Sequence, residues 1–543
     1  MFGLPRLSPR EVTAGLSALI RAGVVRPIVP RPSLLGMALE LPLIKPNLGL
    51  VVALQANTQS DGVAVMDDQG MLTWAELDRR VSRLANVLLE HGESGGCVAF
   101  ILRNGREAVE CYAAGGRSGL APVPLNTSAT GSEIARILHM QRPAVLIYDE
   151  EFADVVGHAV RDLEDPPTML SVGQTGGYET ALAAARSSAP FARGTGKIVM
   201  HTSGTTGAPK GAERTVGVSQ AGALLGFAMK VPLRRGDRML IGSPIFHAFG
   251  SGMVAAACVI GATVVLPRRF QADQFERQIR EHDITAAALV PIMIRRVLEH
   301  PEPHGPSPLR IVLTSGSALP VALRDEAQRR WGQVVYDLYG STEAGWVAIS
   351  TPRDFIERRG TVGRPGPGMQ VQVVDEAGEV VPAGEIGALR VATGMEFTGY
   401  TGSDGHRGPW DIGDLGYQDG EGYLYVTGRR DEMIISGGEN VYPSEVEEHL
   451  ESHPLISECA VIGMDDEAFG QVLWAYVVGD VEPEQIMVWL RERLARFKVP
   501  KRIVVLESMP RNATGKILKR LLLQSEHPSR GSSLGDPAAP GEM

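Results

Sequence analysis

Apolar residues recur along this chain in two periods, and the switching between them sets the expected architecture. From Thr73 the period is helical: Thr73 and Glu76 form a capping box, and Leu77, Val81, Leu84, Ala85 and Leu88 fall on one face. Residues 97–102 then form an unbroken apolar run of strand length, as in a strand covered on both sides. The same helix-then-strand unit recurs at 133–138 with 144–148 and at 275–284 with 286–290, and a further strand is expected at 311–314. Such alternation predicts α/β structure, with parallel sheets covered by helices. Beyond Gln370 the apolar runs shorten and Gly-rich turns at 375–378 and 419–422 join them, which predicts a β subdomain of antiparallel strands. After Gly428 the pattern changes again: a helix at 444–450, strands at 456–462 and 472–478, a helix at 484–495 and a strand at 503–506 predict a small α+β domain.

The two ends stand apart. Ser8, Pro9 and Glu11 read as a capping box with Pro at the first helical position, followed by Val12, Leu16, Leu19, Ile20 and Val24 on one face and closed by Pro27, Pro30 and Pro32. Arg10, Ser17 and Arg21 lie on the other face. Residues 525–543 are rich in Pro, Gly and Ser with little apolar content, the composition of a disordered tail. The expected division is therefore a basic amphipathic arm (1–50), a large domain (51–427), a small C-terminal domain (428–524) and a tail (525–543).

Composition narrows the function. With 543 residues, 44% of them hydrophobic and 21% charged, the chain has the apolar content of a folded multidomain protein. A formal charge of −10 gives a nucleic-acid backbone no reason to bind. The cysteines at 97, 111, 258 and 459 show neither zinc nor disulfide spacing, which predicts a reduced, cytoplasmic protein. The charge-free stretch 240–267 is broken by Pro244, His247 and several glycines, so it reads as buried core, and Arg10, Arg21 and Arg26 interrupt any signal-peptide pattern. The arm alone is basic, with Arg6, Arg10, Arg21, Arg26, Arg31 and Lys45 against Glu11 and Glu40. Its helix suits either packing on the large domain through the apolar face or peripheral contact of residues 1–45 with the inner face of a membrane, and the charge contrast favours the membrane.

The sharpest local signal is Thr202, Ser203, Gly204, Thr205, Thr206 and Gly207, followed by Lys210. Glycine-freed amides, hydroxyls and an ammonium form a polyphosphate cradle, with a flexible surface connection as the bland alternative. A Walker A loop is excluded, because Ala208 and Pro209 separate Gly207 from Lys210. Lysine is scarce, at eight of the 53 basic residues, and Lys516 sits in a second such loop with Asn512, Thr514 and Gly515. Gly92 to Gly96 satisfies G-x-S-x-G, yet links a helix to a strand, the reverse of a hydrolase elbow.

With Pro244 to Gly250, Tyr336 to Glu343, Trp410 to Asp414, Gly428 to Asp431 and Gly437 to Pro443, these segments occur in an order that resembles the adenylate-forming superfamily, specifically its acyl-CoA synthetases, over roughly residues 50–524. The resemblance implies two half-reactions: a carboxylate attacks the α-phosphorus of ATP to give acyl-AMP and pyrophosphate, and the thiol of CoA then displaces AMP. It implies that Tyr339 stacks on adenine, that Asp337 accepts the adenine amino group, and that Gly316, Ser317, Ala318 and Gly340 line the nucleotide pocket. Thr342 is expected on the α-phosphate, Glu343 on Mg²⁺, Asp414 on the ribose hydroxyls with Arg429 assisting, and Lys516 on the charge that builds in adenylation. Asp431 matches the hinge of a mobile small domain, whose rotation withdraws Lys516 and brings Gly437 and Gly438 to the pantetheine arm. His247 matches an aromatic gate of the carboxylate pocket and weakens an amino-acid substrate, for which relatives place an acid there.

Gly250, Gly252 and Ala255 to Ala257 leave room for an apolar chain or reflect tight helix packing, and both readings stand. The expectation is an ATP-, Mg²⁺- and CoA-dependent ligase of a fatty acid of medium or long chain. An acyl-AMP ligase serving a carrier protein, a non-catalytic nucleotide-binding homologue and a luciferase-like oxygenase are its rivals.

Overall fold

A computed structural model describes residues 8–23, 46–174, 176–188, 197–203, 209–215, 221–301, 305–342, 344–393, 395, 397–400, 409–436, 438–467, 469–512 and 515–524. The tail at 525–543 and Val24 of the arm therefore lie outside the described residues.

Two sheets dominate the first four hundred residues. The larger has nine strands in the order Arg364–Pro365, Gly345–Ser350, Val335–Ser341, Ile311–Thr314, Ala286–Leu289, Arg238–Ile241, Thr263–Leu266, Val63–Asp67 and Gly70–Thr73. Pairing from Val335–Ser341 through Val63–Asp67 is parallel and both margins are antiparallel. The central strands are short apolar runs such as Ala286–Leu289 and Ile311–Thr314, buried at every position, as strands covered by helices on both faces must be. The second sheet, Ala121–Pro124, Cys97–Ile101, Val145–Asp149 and Thr168–Val172, is parallel throughout. One core runs between the sheets, through Trp74, Leu84, Phe100, Val109, Ile241 and Val264.

The capping boxes are present: Thr73 N donates to Glu76 Oε2 at 2.8 Å and Glu76 N to Thr73 Oγ1 at 3.2 Å, opening Trp74–His91. Beyond Gln370 the antiparallel sheet Met369–Val374, Gly387–Thr393, Trp410–Gln418, Leu424–Arg429 follows expectation. Its last strand keeps Gly428 and Arg429 in this sheet, so the small domain's own strands begin only at Ile434–Ser436. That domain carries a sheet of five strands, in which Arg502–Val505 runs parallel to Gly470–Gly479. Val446 and Leu450 of Pro443–Glu451 and Ile486 and Leu490 of Pro483–Arg491 fill its core.

Two expectations about element bounds need correction. The helix expected at 484–495 ends at Arg491, where Arg493 N and Leu494 N both donate to the Leu490 carbonyl, at 3.0 and 2.8 Å, and a 3-10 turn at Arg496–Lys498 follows. The strands expected at 456–462 and 472–478 extend to Ile456–Asp466 and Gly470–Gly479, because a long hairpin keeps pairing through Asp466 and Gly470, where no apolar signal remains. The arm's helix, Pro9–Arg21, packs on Ala221–Lys230 mainly through small residues, with Leu19 half-buried. Gly15, Ala18 and Ala22 form the buried side, while Val12, Leu16 and Ile20 are 43, 48 and 54% exposed. The expected boundary at residue 50 falls within a further helix, Leu48–Thr58, capped by Asn47. Among the described residues no helix is long and apolar enough to cross a membrane.

Candidate active site

In a parallel sheet the loops after the carboxyl ends of the strands converge on one edge. Here that edge gathers the segments leaving Arg238–Ile241, Ala286–Leu289, Ile311–Thr314 and Val335–Ser341, with Thr314 in register with Asp337. The first segment ends in His247, the third carries Gly316, Ser317 and Ala318, and the fourth carries Asp337, Tyr339 and Gly340 before Thr342. Sequence-expected residues from three of these four strands therefore lie along one edge.

A bulge between Tyr339 and Gly340 shifts the register with Gly345–Ser350, and pairing resumes at Gly340 and Ser341. Only glycine fits after it: a Cβ on Gly340 would stand 2.1 Å from the Gly345 carbonyl oxygen. Thr342 follows, half-buried, and Glu343 lies outside the described residues.

Tyr339 Oη donates to Asp414 Oδ2 at 2.6 Å, and Arg429 Nη1 donates to Asp414 Oδ1 at 3.1 Å and to the Ile412 carbonyl at 2.9 Å. Asp414 and Arg429 face each other in register on neighbouring strands, so the pair is set by the sheet. Burial holds the Asp414 carboxyl above its ordinary range, against the opposing pull of the Tyr339 hydroxyl, Arg429 and Lys516. Burial, with Asp414 adding to it, pushes the Tyr339 phenol well above the usual range, so this hydroxyl remains a donor. Burial likewise pushes Asp337 up to about 6, partly offset by Arg324.

Lys516, from the other end of the chain, lies near enough to lower the Asp414 carboxyl electrostatically. Its loop is closed by Lys516 N donating to Asn512 Oδ1 at 2.9 Å and Gly515 N to the Asn512 carbonyl at 2.9 Å. The loop sits on the same sheet edge: a Cβ on Gly515 would lie 2.3 Å from Ile292 Cγ2. Gly438, by contrast, has nothing within 4 Å of an added Cβ, and Gly437 lies outside the described residues. Asp431, in the 3-10 turn Arg430–Glu432, is exposed and accepts from Arg429 Nε at 3.1 Å, so one guanidinium touches both Asp414 and the expected hinge.

His247 is the N-cap of Ala248–Ile260 and lies 4.4 Å, ring to ring, from Phe246. Burial depresses its imidazole to about 4, and Nε2 is buried with no hydrogen-bond partner. Burial therefore favours the neutral ring. Its loop is latched by Asn104, whose Nδ2 donates to the Ile241 and Ser243 carbonyls at 3.2 and 3.1 Å and whose Oδ1 accepts from Ile245 N at 3.0 Å. Tyr112 Oη adds a bond to the Ile245 carbonyl at 2.8 Å.

The phosphate-loop expectation is placed only at its edges. Strands Lys197–Ser203 and Pro209–Thr215 pair antiparallel, with Thr202 opposite Lys210 and Ser203 opposite Pro209. Gly204, Thr205, Thr206 and Gly207 lie outside the described residues, as do the side chains of Thr202, Ser203 and Lys210. Just before them, His201 has both ring nitrogens buried without partners, and burial depresses it to about 4. Neither Asn104 nor His201 stood out beforehand; a polar residue just past an apolar strand was the one available hint for Asn104.

Residues 52–401 match the AMP-binding enzyme family and residues 445–516 the AMP-binding enzyme C-terminal domain. A 2-succinylbenzoate–CoA ligase of Bacillus licheniformis is 32% identical over 482 residues, covering 86% of this chain and 98% of that protein. An indoleacetate–CoA ligase of Aromatoleum aromaticum is 34% identical over 471 residues, covering 82% and 92%. Among solved structures, the o-succinylbenzoate CoA synthetase of Bacillus subtilis, in complex with its acyl-adenylate intermediate, superposes with a TM-score of 0.78 at 29% identity, covering 88% of this chain and 98% of that one.

Proposed function

Because the chain belongs to the AMP-binding enzyme family, we propose that it is an ATP-dependent acid–CoA ligase, and that its acid is a compact, aromatic carboxylic acid. The observation that carries the reading is the meeting of Tyr339, Asp414 and Arg429 from the large domain with Lys516 from the small one. In the first half-reaction a carboxylate oxygen attacks the α-phosphorus, the bond to the β-phosphate oxygen breaks, and pyrophosphate leaves. Asp414 and Tyr339 fix the nucleoside, Thr342 orients the α-phosphate, and Lys516 meets the charge on the phosphoryl oxygens. Glu343 would hold Mg²⁺ alongside the phosphates, where the ion would offset their charge as adenylation proceeds. In the second half-reaction the small domain turns about Asp431, and the CoA sulfur attacks the acyl carbon while AMP leaves with the bonding pair.

The names of the relatives move the acid from the fatty chain expected earlier to an aryl one. The His247 and Phe246 rings support the same choice, since a neutral aromatic wall stacks on a flat acid and offers no counter-charge to an amine. The test is AMP release and thioester formation from aryl, arylalkanoic and fatty acids of increasing length, with and without CoA. CoA-dependent thioester is expected, with the highest kcat/KM for an aryl-bearing acid. A maximum on a long-chain acid would restore the fatty-acid reading, and acyl-AMP without thioester from any acid would favour a carrier-protein ligase.

A further inference from the structure

The helix Pro9–Arg21 precedes the family match, which begins at residue 52, so the shared chemistry does not account for it. Its packing side is complete: Gly15, Ala18 and Ala22 are buried, and a Cβ on Gly15 would stand 2.8 Å from Leu225. The opposite half is divided lengthwise. Val12, Leu16 and Ile20 follow one another at four-residue spacing down one flank, each about half exposed. Arg10 and Arg21 are exposed on the other flank, with Thr13 and Ser17 along the crest. Arg235 N donates to the Ala22 carbonyl at 2.8 Å, which brings the exposed Arg234 to the same end as Arg21. The helix's one acid, Glu11, is taken up by its capping box, where Ser8 N donates to Glu11 Oε2 at 2.7 Å.

A line of half-exposed aliphatic side chains with cations at both ends is complementary to a negatively charged apolar boundary. Self-pairing of two such helices about a two-fold axis would set Arg10 of one against Arg21 of the other, a like-charge contact. We propose that this half of the helix docks on an anionic lipid surface. Val12, Leu16 and Ile20 enter the acyl boundary, and Arg10, Arg21 and Arg234 reach the headgroup phosphates. The basic end residues overcome the repulsion that a chain of formal charge −10 otherwise meets at such a surface.

The test is sedimentation of the full chain with vesicles of phosphatidylglycerol and phosphatidylcholine, against phosphatidylcholine alone. Binding to the anionic vesicles that weakens with salt is expected. The triple variant Val12→Ser, Leu16→Ser, Ile20→Ser should lose about tenfold or more of it at unchanged Tm. Arg10→Gln with Arg21→Gln should lower it and flatten its salt dependence. Because Cys97, Cys111, Cys258 and Cys459 are all buried, Leu16→Cys can carry a polarity-sensitive dye, whose emission should rise on the anionic vesicles alone. The proposal is overturned if wild type stays in the supernatant, if it binds neutral vesicles equally, or if the triple variant binds as well as wild type. A dimer abolished by the triple variant, or a marked fall in its Tm, also overturns it, by assigning the stripe to a second copy or to cover from the chain itself.

Discussion

His247 and His201 are imidazoles that the fold keeps neutral, and this has a sign. Each falls from an ordinary 6.5 to about 4, so the stability tied to it is complete above pH 6.5 and is lost as pH drops toward 4. His247→Phe should therefore gain on wild type as the pH is lowered through that window, by at most about 3 kcal/mol, read from urea unfolding. Asp337 and Glu110, pushed up to about 6 and about 7 by burial, act in the opposite direction, so the difference between the two proteins carries the test. A constant gap would mean that the ring is not held neutral. Lys516→Ala should cost adenylation about a hundredfold or more while sparing thioester formation from preformed acyl-AMP, followed by single-turnover assay. Equal loss in both steps would make Lys516 structural. The proposed site residues legible beforehand, such as Asp414 and Lys516, are those that stand in local motifs. Asn104, and Arg324 with its Nη2 donating to the Val335 carbonyl at 2.9 Å, hold the site through long-range contacts that leave no pattern in sequence.

At the scale of elements, periodicity found those with an apolar side and a polar side. It passed over Leu48–Thr58, where apolar residues run nearly all the way round and no face stands out. It did not identify the buried side of Pro9–Arg21, because hydrophobic patterning weighs valine and leucine while Gly15, Ala18 and Ala22 are the residues buried there. The bulge at Gly340 was equally invisible, yet it sets where Thr342 stands. Gly340→Ala should destabilise by about 2 kcal/mol or more and raise KM for ATP, since the backbone it meets cannot yield without moving Thr342. An unchanged Tm would place the close approach elsewhere. Asp431→Pro, in the turn Arg430–Glu432, fixes φ near the value a 3-10 turn needs and should hold the orientation with Lys516 at Asp414. Adenylation is then retained and thioester formation falls about tenfold or more, measured as separate half-reactions. Wild-type rates in both would locate the hinge at another residue.

Across the whole molecule, the proposed chemistry is divided between two parts: a sheet edge that would hold the nucleoside and a small domain that would deliver one lysine to it. What the sequence could not supply was how firmly each part is attached. Glycine and alanine remove little apolar area from water, so the seam between Pro9–Arg21 and Ala221–Lys230 is held far less strongly than the core around Trp74 and Phe100. Such a helix is expected to open on its own, without the rest of the protein unfolding. Its amides should exchange with deuterium early and independently of denaturant-induced global unfolding, while those of Trp74–His91 exchange only with the whole. Amides that exchanged together in the two helices would show a single cooperative unit. An element that opens this readily is an adjustable attachment, able to tilt or lift on its seam while the catalytic edge behind it keeps its geometry.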